Sequence, residues 1–169
     1  MTLFFTLKQC SLGHVLIAQS KLGICAVLLG DEVEPLILEL KSQFPQAELI
    51  AAGEDQERIA SEVISLIEDP YTKHDLSLDI HGTKFQQHVW QALQNIPPGK
   101  TATYTEIAQQ IDSPHAVRAV ANACAANKLA AIIPCHRVIR KNGSLSGYRW
   151  GMERKRQLLA REAHGAYKH

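Results

Sequence analysis

The chain has 169 residues, 46% of them apolar, and a formal charge of +1, enough for one large domain or two small ones with ordinary cores. Its apolar runs are far too short to span a bilayer, and Met1-Thr2-Leu3-Phe4-Phe5 lacks the basic start and cleavage site of a signal peptide, so a cytoplasmic protein without a membrane partner is expected. Four cysteines without a C-x-x-C pair argue against a zinc ribbon or a thioredoxin-type site and fit reduced thiols.

Three short runs, Leu3 to Lys8, His14 to Gln19 and Gly23 to Leu29, alternate apolar and polar residues and predict an antiparallel meander. Ser11-Leu12-Gly13 and Ser20-Lys21-Leu22 separate them. Val33, Leu36, Ile37, Leu40 and Phe44 then repeat at helical spacing up to Pro45. Ile59, Val63, Leu66 and Ile67 do the same behind an acidic start and before Asp69-Pro70. Leu76, Leu78 and Ile80 predict one more short strand. The small α+β unit so described holds no recognisable catalytic constellation. Cys10, His14 and Cys25 suit a metal by type, but no fourth ligand accompanies them, so Cys10 and Cys25 are read as ordinary core or surface thiols and no metal site is expected.

A boundary near His81-Gly82 divides the chain into domains 1–81 and 82–169. The first holds five Lys/Arg against thirteen Asp/Glu, a net −8; the second holds thirteen against four, a net +9. The basic half carries the footprint of a nucleic-acid surface, although such an asymmetry also arises by accident or for contact between halves. Thr83-Lys84-Phe85-Gln86 has capping-box spacing and opens a helix with Phe85, Val89 and Leu93 on its apolar stripe, ended by Pro97-Pro98-Gly99. Thr103-Tyr104-Thr105-Glu106 is a second capping box, and Ser113-Pro114 supplies an N-cap and a first-position proline for a third helix. Two short helices joined at Asp112-Ser113 read as helix-turn-helix. Val117, Val120, Ala121 and Cys124 make a buried stripe, with Ala116, Ala119, Ala123 and Ala126 leaving the other faces bare. Composition alone fits a groove-entering helix and an ordinary packed alanine helix equally well.

Ile132-Ile133-Pro134-Cys135-His136-Arg137-Val138-Ile139 places a thiol beside an imidazole between two β-branched runs that predict buried strand. Cysteine reacts as the thiolate, and imidazole is a common base for its proton, which makes Cys135 the candidate nucleophile. On a fully extended strand Cys135 and His136 would face opposite ways, so a kink at Pro134 or a bridging water must connect them. An isolated Cys-His pair is more often a buried thiol beside a surface histidine. After the octet, Lys141-Asn142-Gly143-Ser144 carries the Asn-Gly hairpin signal, expected as the wing of a winged helix, and Gly151 to Glu162 forms a basic helix burying Leu158 and Leu159.

Pro134-Cys135-His136-Arg137, with Asn127 upstream and Ser146-Gly147-Tyr148 downstream, resembles the signature of the suicide repair proteins called methylated-DNA protein-cysteine methyltransferases, or alkylguanine DNA alkyltransferases. The resemblance runs from about Phe85 to Glu162, is closest to the C-terminal half of the bacterial adaptive-response members, and extends more weakly through Ser11-Leu12-Gly13 and Gly23-Ile24-Cys25. It implies an α+β fold, a ribonuclease H-like N-terminal domain followed by a winged helix-turn-helix-like domain. It implies that Cys135 takes the alkyl group, that His136 and Glu162 complete a Cys, water, His, Glu network, and that Asn127 ties the third helix to the active-site segment. That helix would enter the minor groove through Ala116 and Ala119, with Arg118 filling the stack left by the flipped base. Tyr104 would help rotate the nucleotide, the Val138 carbonyl would read the guanine amino group, Tyr148 would wall the pocket and Arg149 would offer its backbone N–H where some relatives have serine. The implied partner is double-stranded DNA containing O6-alkylguanine, with O4-methylthymine a second candidate lesion, bound by a monomer that needs no cofactor. Some members carry an N-terminal zinc; Ser20 and Cys25 stand where they place a cysteine and a histidine, so that site is not carried over.

Two rival classes remain open on sequence. A winged helix that senses lesions without transfer would not need Cys135, and a cysteine hydrolase would need an oxyanion donor or a remote Cys/His/Asn pattern that is not visible.

Overall fold

The computed structural model describes residues 1–145 and 147–165, and the chain divides into two units, one over Met1–Ile80 and the other from His81 onward. Both mix helix and strand. In the first, β1 (Thr2–Cys10) returns as β2 (Gly13–Gln19) through Ser11-Leu12, and β3 (Ile24–Gly30) follows antiparallel, completing the meander. Ile24 to Leu29 are all buried, so β3 is a continuous apolar run instead of an alternating one. Helices α1 (Val33–Gln43) and α2 (Glu54–Glu68) cover the sheet, α1 on β2 and β3 through Leu36 and Leu40, α2 on β1 through Ala60, Val63, Leu66 and Ile67.

Two expectations for this unit need correction. The sheet is not wholly antiparallel, because β4 (Glu48–Ala51) pairs parallel to β1 and gives the order β3-β2-β1-β4. Nothing in the sequence announces β4, since Glu48, Ile50 and Ala51 are exposed on an edge strand and burial imposes no alternation there. The strand expected over residues 76–80 reduces to a single bridge between Leu78 and Ile24. There the Ser77 carbonyl comes so close to Gly23, at φ 150°, that an added Cβ would lie 2.4 Å from it, so only glycine fits.

In the second unit α3 (Lys84–Gln94), α4 (Tyr104–Gln110) and α5 (Val117–Ala125) pack on one another, with the Trp90 indole N–H donating to the Ala123 carbonyl at 2.9 Å. Both capping boxes form: Thr83 with Gln86 and Thr103 with Glu106 exchange side-chain and backbone hydrogen bonds of 3.0–3.1 Å. Helix α5 starts at Val117, later than Ser113-Pro114 predicts. Asp112 turns the chain at φ 57°, and Ser113 accepts from the Ala116 N–H in a tight turn that uses up the residues expected to cap the helix. Of the α5 faces, Val120, Ala123 and Cys124 are buried, whereas Val117 and Ala121 are half-buried; Ala123 therefore belongs to the core and not to a bare face.

The strand expected across residues 132–139 is also corrected. Cys135–Arg137 form a single 3₁₀ turn, entered from Pro134 at ψ 62°, and only β6 (Val138–Ile139) is extended, paired in parallel with β5 (Ala102–Thr103). The Asn142-Gly143 signal yields a turn, with Gly143 at φ 82° and the Arg140 N–H donating to Ser144, but among the described residues no strand returns beside β6. Helix α6 (Met152–Gly165) closes the unit against the 3₁₀ turn and buries Lys155, Leu158 and Glu162, with Leu159 half-buried.

Candidate active site

Pro134 and the 3₁₀ turn put Cys135 and His136 on one tight curve, so the alternation of a strand does not separate them. The Cys135 thiol is 4% exposed. It is held from behind by Asn127, the fully buried residue just beyond α5, whose amide nitrogen lies 3.2 Å from Sγ and 2.9 Å from the Ile133 carbonyl. The Asn127 Oδ1 accepts from the Leu129 N–H at 2.8 Å, which fixes the orientation of the amide. Burial pushes the Cys135 thiol up to about 11, against the Asn127 hydrogen bond and the positive charges of Lys155 and Arg149. A thiol in that state needs a base and nearby cations before it reacts as thiolate.

His136, the next residue, carries a ring nitrogen able to take a proton. Its Nε2 lies 2.7 Å from Oε2 of Glu162, so the carboxylate acceptor keeps the proton on Nε2 and leaves the lone pair on Nδ1. Nδ1 is buried and has no hydrogen-bond partner among the described residues. Burial lowers the His136 pKa in spite of the glutamate, and the ring rests neutral. Glu162 also accepts from Nε and Nη2 of Arg137, both at 2.9 Å, a bidentate pair between two buried side chains. Burial acts to raise the Glu162 pKa, but the hydrogen bonds from His136 and Arg137 outweigh it, and the carboxylate stays charged. Arg137 spends Nη1 on the Ile96 carbonyl at 2.7 Å, which anchors the group to the end of α3.

A cavity of about 740 Å³ opens onto the thiol. Tyr104, Arg118, Cys124, Arg140, Tyr148 and Arg149 line it together with Cys135. The Tyr148 ring stands edge-on to His136, centroids 6.4 Å apart, and to Trp150 at 5.4 Å. Its hydroxyl is buried without a hydrogen-bond partner among the described residues.

Of the residues expected at the site, Asn127, Cys135, His136 and Glu162 converge, and Tyr104, Arg118, Tyr148 and Arg149 share the cavity wall with the thiol. Val138 is buried behind it, with its carbonyl accepting from the Lys155 ammonium at 2.7 Å. Ala116 and Ala119 lie outside the cavity, Ala116 half-buried at the start of α5 and Ala119 exposed. Ser146 is outside the described residues.

Sequence reasoning missed three contributors. Arg137 belongs to the signature, yet its grip on Glu162 was not anticipated. Arg140 adds a cation to the wall. Lys155 is completely buried; burial lowers its pKa, and the nearby Cys135 and Cys124 oppose that shift. Its position three residues before Leu158 and seven before Glu162 puts all three on one helix face, a spacing that could have flagged it. No group of three or more His, Cys, Asp or Glu side chains able to hold a metal occurs among the described residues.

Residues 84–164 match the family model described as 6-O-methylguanine DNA methyltransferase, DNA binding domain. The chain is 55% identical over 159 residues to the bifunctional transcriptional activator/DNA repair enzyme Ada of Escherichia coli, covering 94% of this chain and 45% of the relative. It is 38% identical over 161 residues to the inducible methylated-DNA--protein-cysteine methyltransferase of Bacillus subtilis, covering 94% and 89%. The crystal structure of Mycobacterium tuberculosis OGT in complex with DNA superposes with a TM-score of 0.77 at 32% identity, covering 97% of this chain and 94% of that one. The chain thus spans about half the length of the first curated relatives it matches and most of the shorter one.

Proposed function

The chain belongs to the methylated-DNA--protein-cysteine methyltransferase family, and on that premise we propose that it repairs DNA by moving the alkyl group of O6-alkylguanine onto its own Cys135. The observation that carries this reading is the thiol itself: held by Asn127, next to the His136–Glu162 pair, and open to a cavity wide enough for a base. His136 Nδ1 takes the thiol proton through one water, and Glu162 stabilises the resulting imidazolium. The Cys135 sulfur then attacks the methyl carbon in line with the C–O6 bond. That bond breaks, its electron pair stays with guanine, and guanine, hydrogen-bonded by Tyr104, takes up a proton while the His136 imidazolium releases the one it took from the thiol, so that methyl and proton are exchanged between base and sulfur. A thioether has no leaving route comparable to an acyl-enzyme, so each molecule reacts once.

The target base reaches the thiol only when flipped out of the duplex. Arg118, on the first turn of α5 and at the cavity edge, fills the stack, and Ala116 and Ala119 keep that face of the helix low against the minor groove. Tyr104 assists rotation, Tyr148 walls the base, the Arg149 backbone N–H faces O6, and the Val138 carbonyl keeps one lone pair for the guanine amino group beside the bond from Lys155. O4-methylthymine, a smaller base that carries its methyl group on an exocyclic oxygen in the same way, is a second candidate lesion. The sheet order β3-β2-β1-β4 supports a ribonuclease H-like reading of the first unit, and the α4–α5 pair with the turn after β6 supports a winged helix-turn-helix reading of the second. The protein is read as a cytoplasmic monomer, in keeping with four free thiols.

Intact mass spectrometry after incubation with an O6-methylguanine duplex tests the proposal. One added methyl group per molecule, mapped to Cys135 and never followed by turnover, is expected; repeated turnover, or a methyl on Cys124, would overturn it.

A further inference from the structure

The Arg149 side chain does something that its position in the chain does not suggest. Its guanidinium lies over the Trp150 ring, 5.2 Å from the centroid, and Nη1 donates a hydrogen bond to the backbone carbonyl of Asn127. That carbonyl follows the C-terminal end of α5, where the helix dipole favours a cation. The side chain of the same Asn127 donates to the Cys135 sulfur. The wall of the cavity and the thiol are thereby joined through one asparagine, gripped by Arg149 at its carbonyl and holding the sulfur with its amide.

We propose that the Arg149 side chain is a positioning residue for Cys135: it latches the wall segment onto Asn127, fixes the amide that holds the sulfur, and keeps a guanidinium beside the thiolate. A guanidinium suits this task because its several donors let it sit over the Trp150 ring and donate to the Asn127 carbonyl at once, a fixed fork that a lysine ammonium does not reproduce. The charge acts in the same sense, since Arg149 and Lys155 both oppose the rise that burial imposes on the thiol. Around Cys135 the titratable groups are His136 of its own turn, Cys124 from α5, Lys155 and Glu162 from α6, Tyr148 beside Arg149 in the wall, and Arg118, Arg140 and Tyr104 across the cavity. Arg149 both carries a charge near the thiol and touches Asn127, so its loss combines a lost charge with a loosened amide.

This inference deepens the repair reading, and its test is independent of DNA. The full chain and its Arg149→Met and Arg149→Lys variants are treated with iodoacetamide across a pH series, and carbamidomethylation is followed on the Cys135 peptide. Arg149→Met is expected to move the profile upward by about one pH unit, which lowers the rate near neutrality about tenfold. Arg149→Lys, which keeps the charge and loses the fork of donors, is expected to fall between the two. An unchanged profile in Arg149→Met overturns the proposal even if the melting temperature drops, because that outcome leaves only a packing role. If Arg149→Met does not fold, Arg149→Gln keeps a donor without the charge, and an unchanged profile there overturns the proposal equally. A shifted profile in a chain that takes no methyl group from O6-methylguanine DNA would instead remove the repair reading and leave the latch standing.

Discussion

Glu162 accepts from His136 and twice from Arg137 while 1% exposed, so one carboxylate both orients the His136 imidazole and balances a buried guanidinium. Glu162→Gln removes that balance and leaves Arg137 as an uncompensated buried charge. It is expected to cost about 3–5 kcal/mol of stability and to slow methyl transfer from free O6-methylguanine by roughly 10²-fold or more. Urea midpoints and single-turnover rates check both parts, and a stable variant with a normal rate would contradict the network. The same pair sets the pH dependence of stability. The folded state holds the His136 pKa below its ordinary 6.5 and the Glu162 pKa below 4.5, so in each case the unfolded chain binds protons first as pH falls. The contribution of this pair is therefore complete above about pH 6.5, falls as His136 protonates in the unfolded chain, and falls again below about pH 4.5 as Glu162 does the same. A urea midpoint that stays level between about pH 7 and pH 5 would show that His136 is not buried neutral.

Helix α5 and the 3₁₀ turn show which parts of the fold the sequence makes legible. The helices with apolar stripes and capping boxes are readable because caps and periodicity are local: Thr83 with Gln86 and Thr103 with Glu106 sit three residues apart. The 3₁₀ turn is not. Ile132-Ile133 and Val138-Ile139 favour strand locally, but the Ile133 carbonyl accepts from Asn127 and from the Cys135 N–H, so a distant side chain and a tight turn satisfy the backbone that a sheet would have used. The start of α5 fails for a similar reason, with Ser113 drawn into a turn behind Asp112. At the site, Cys135, His136, Asn127 and Glu162 were readable through the resemblance, whereas the grip of Arg137 on Glu162 and the buried Lys155 depend on packing between α6 and the turn. The placement of α5 carries its own prediction. Arg118 is exposed at the cavity edge and makes no contact with the Cys135, His136 and Glu162 network among the hydrogen bonds and ion pairs described. Arg118→Ala is therefore expected to slow repair of methylated duplex, where unstacking must be compensated, while reacting almost normally with free O6-methylguanine. Equal loss on both substrates would mean that Arg118 supports the fold or the thiolate.

Across the whole molecule, residues 82–169 carry a net +9 and residues 1–81 a net −8. Not all of the positive charge can meet a polyanion. Of the thirteen Lys/Arg in the basic part, Lys155 is fully buried on the Val138 carbonyl and Arg137 is committed to Glu162 and Ile96, which leaves at most eleven for phosphates. Each phosphate neutralised on duplex DNA contributes about 0.9 to the slope of log affinity against log salt, so the slope for undamaged duplex can be no steeper than about −10. Contacts confined to α5 and the turn after β6 would engage only three to six phosphates, a slope of about −3 to −5. Fluorescence anisotropy of a labelled undamaged duplex, titrated at several salt concentrations and repeated with a scrambled sequence, measures this directly. The two sequences are expected to bind alike, because phosphate contacts position a protein without reading bases. A slope near zero would remove the electrostatic account of the basic part. A strong preference for one sequence would point to base readout from α5, where Arg118 is the only long cationic side chain.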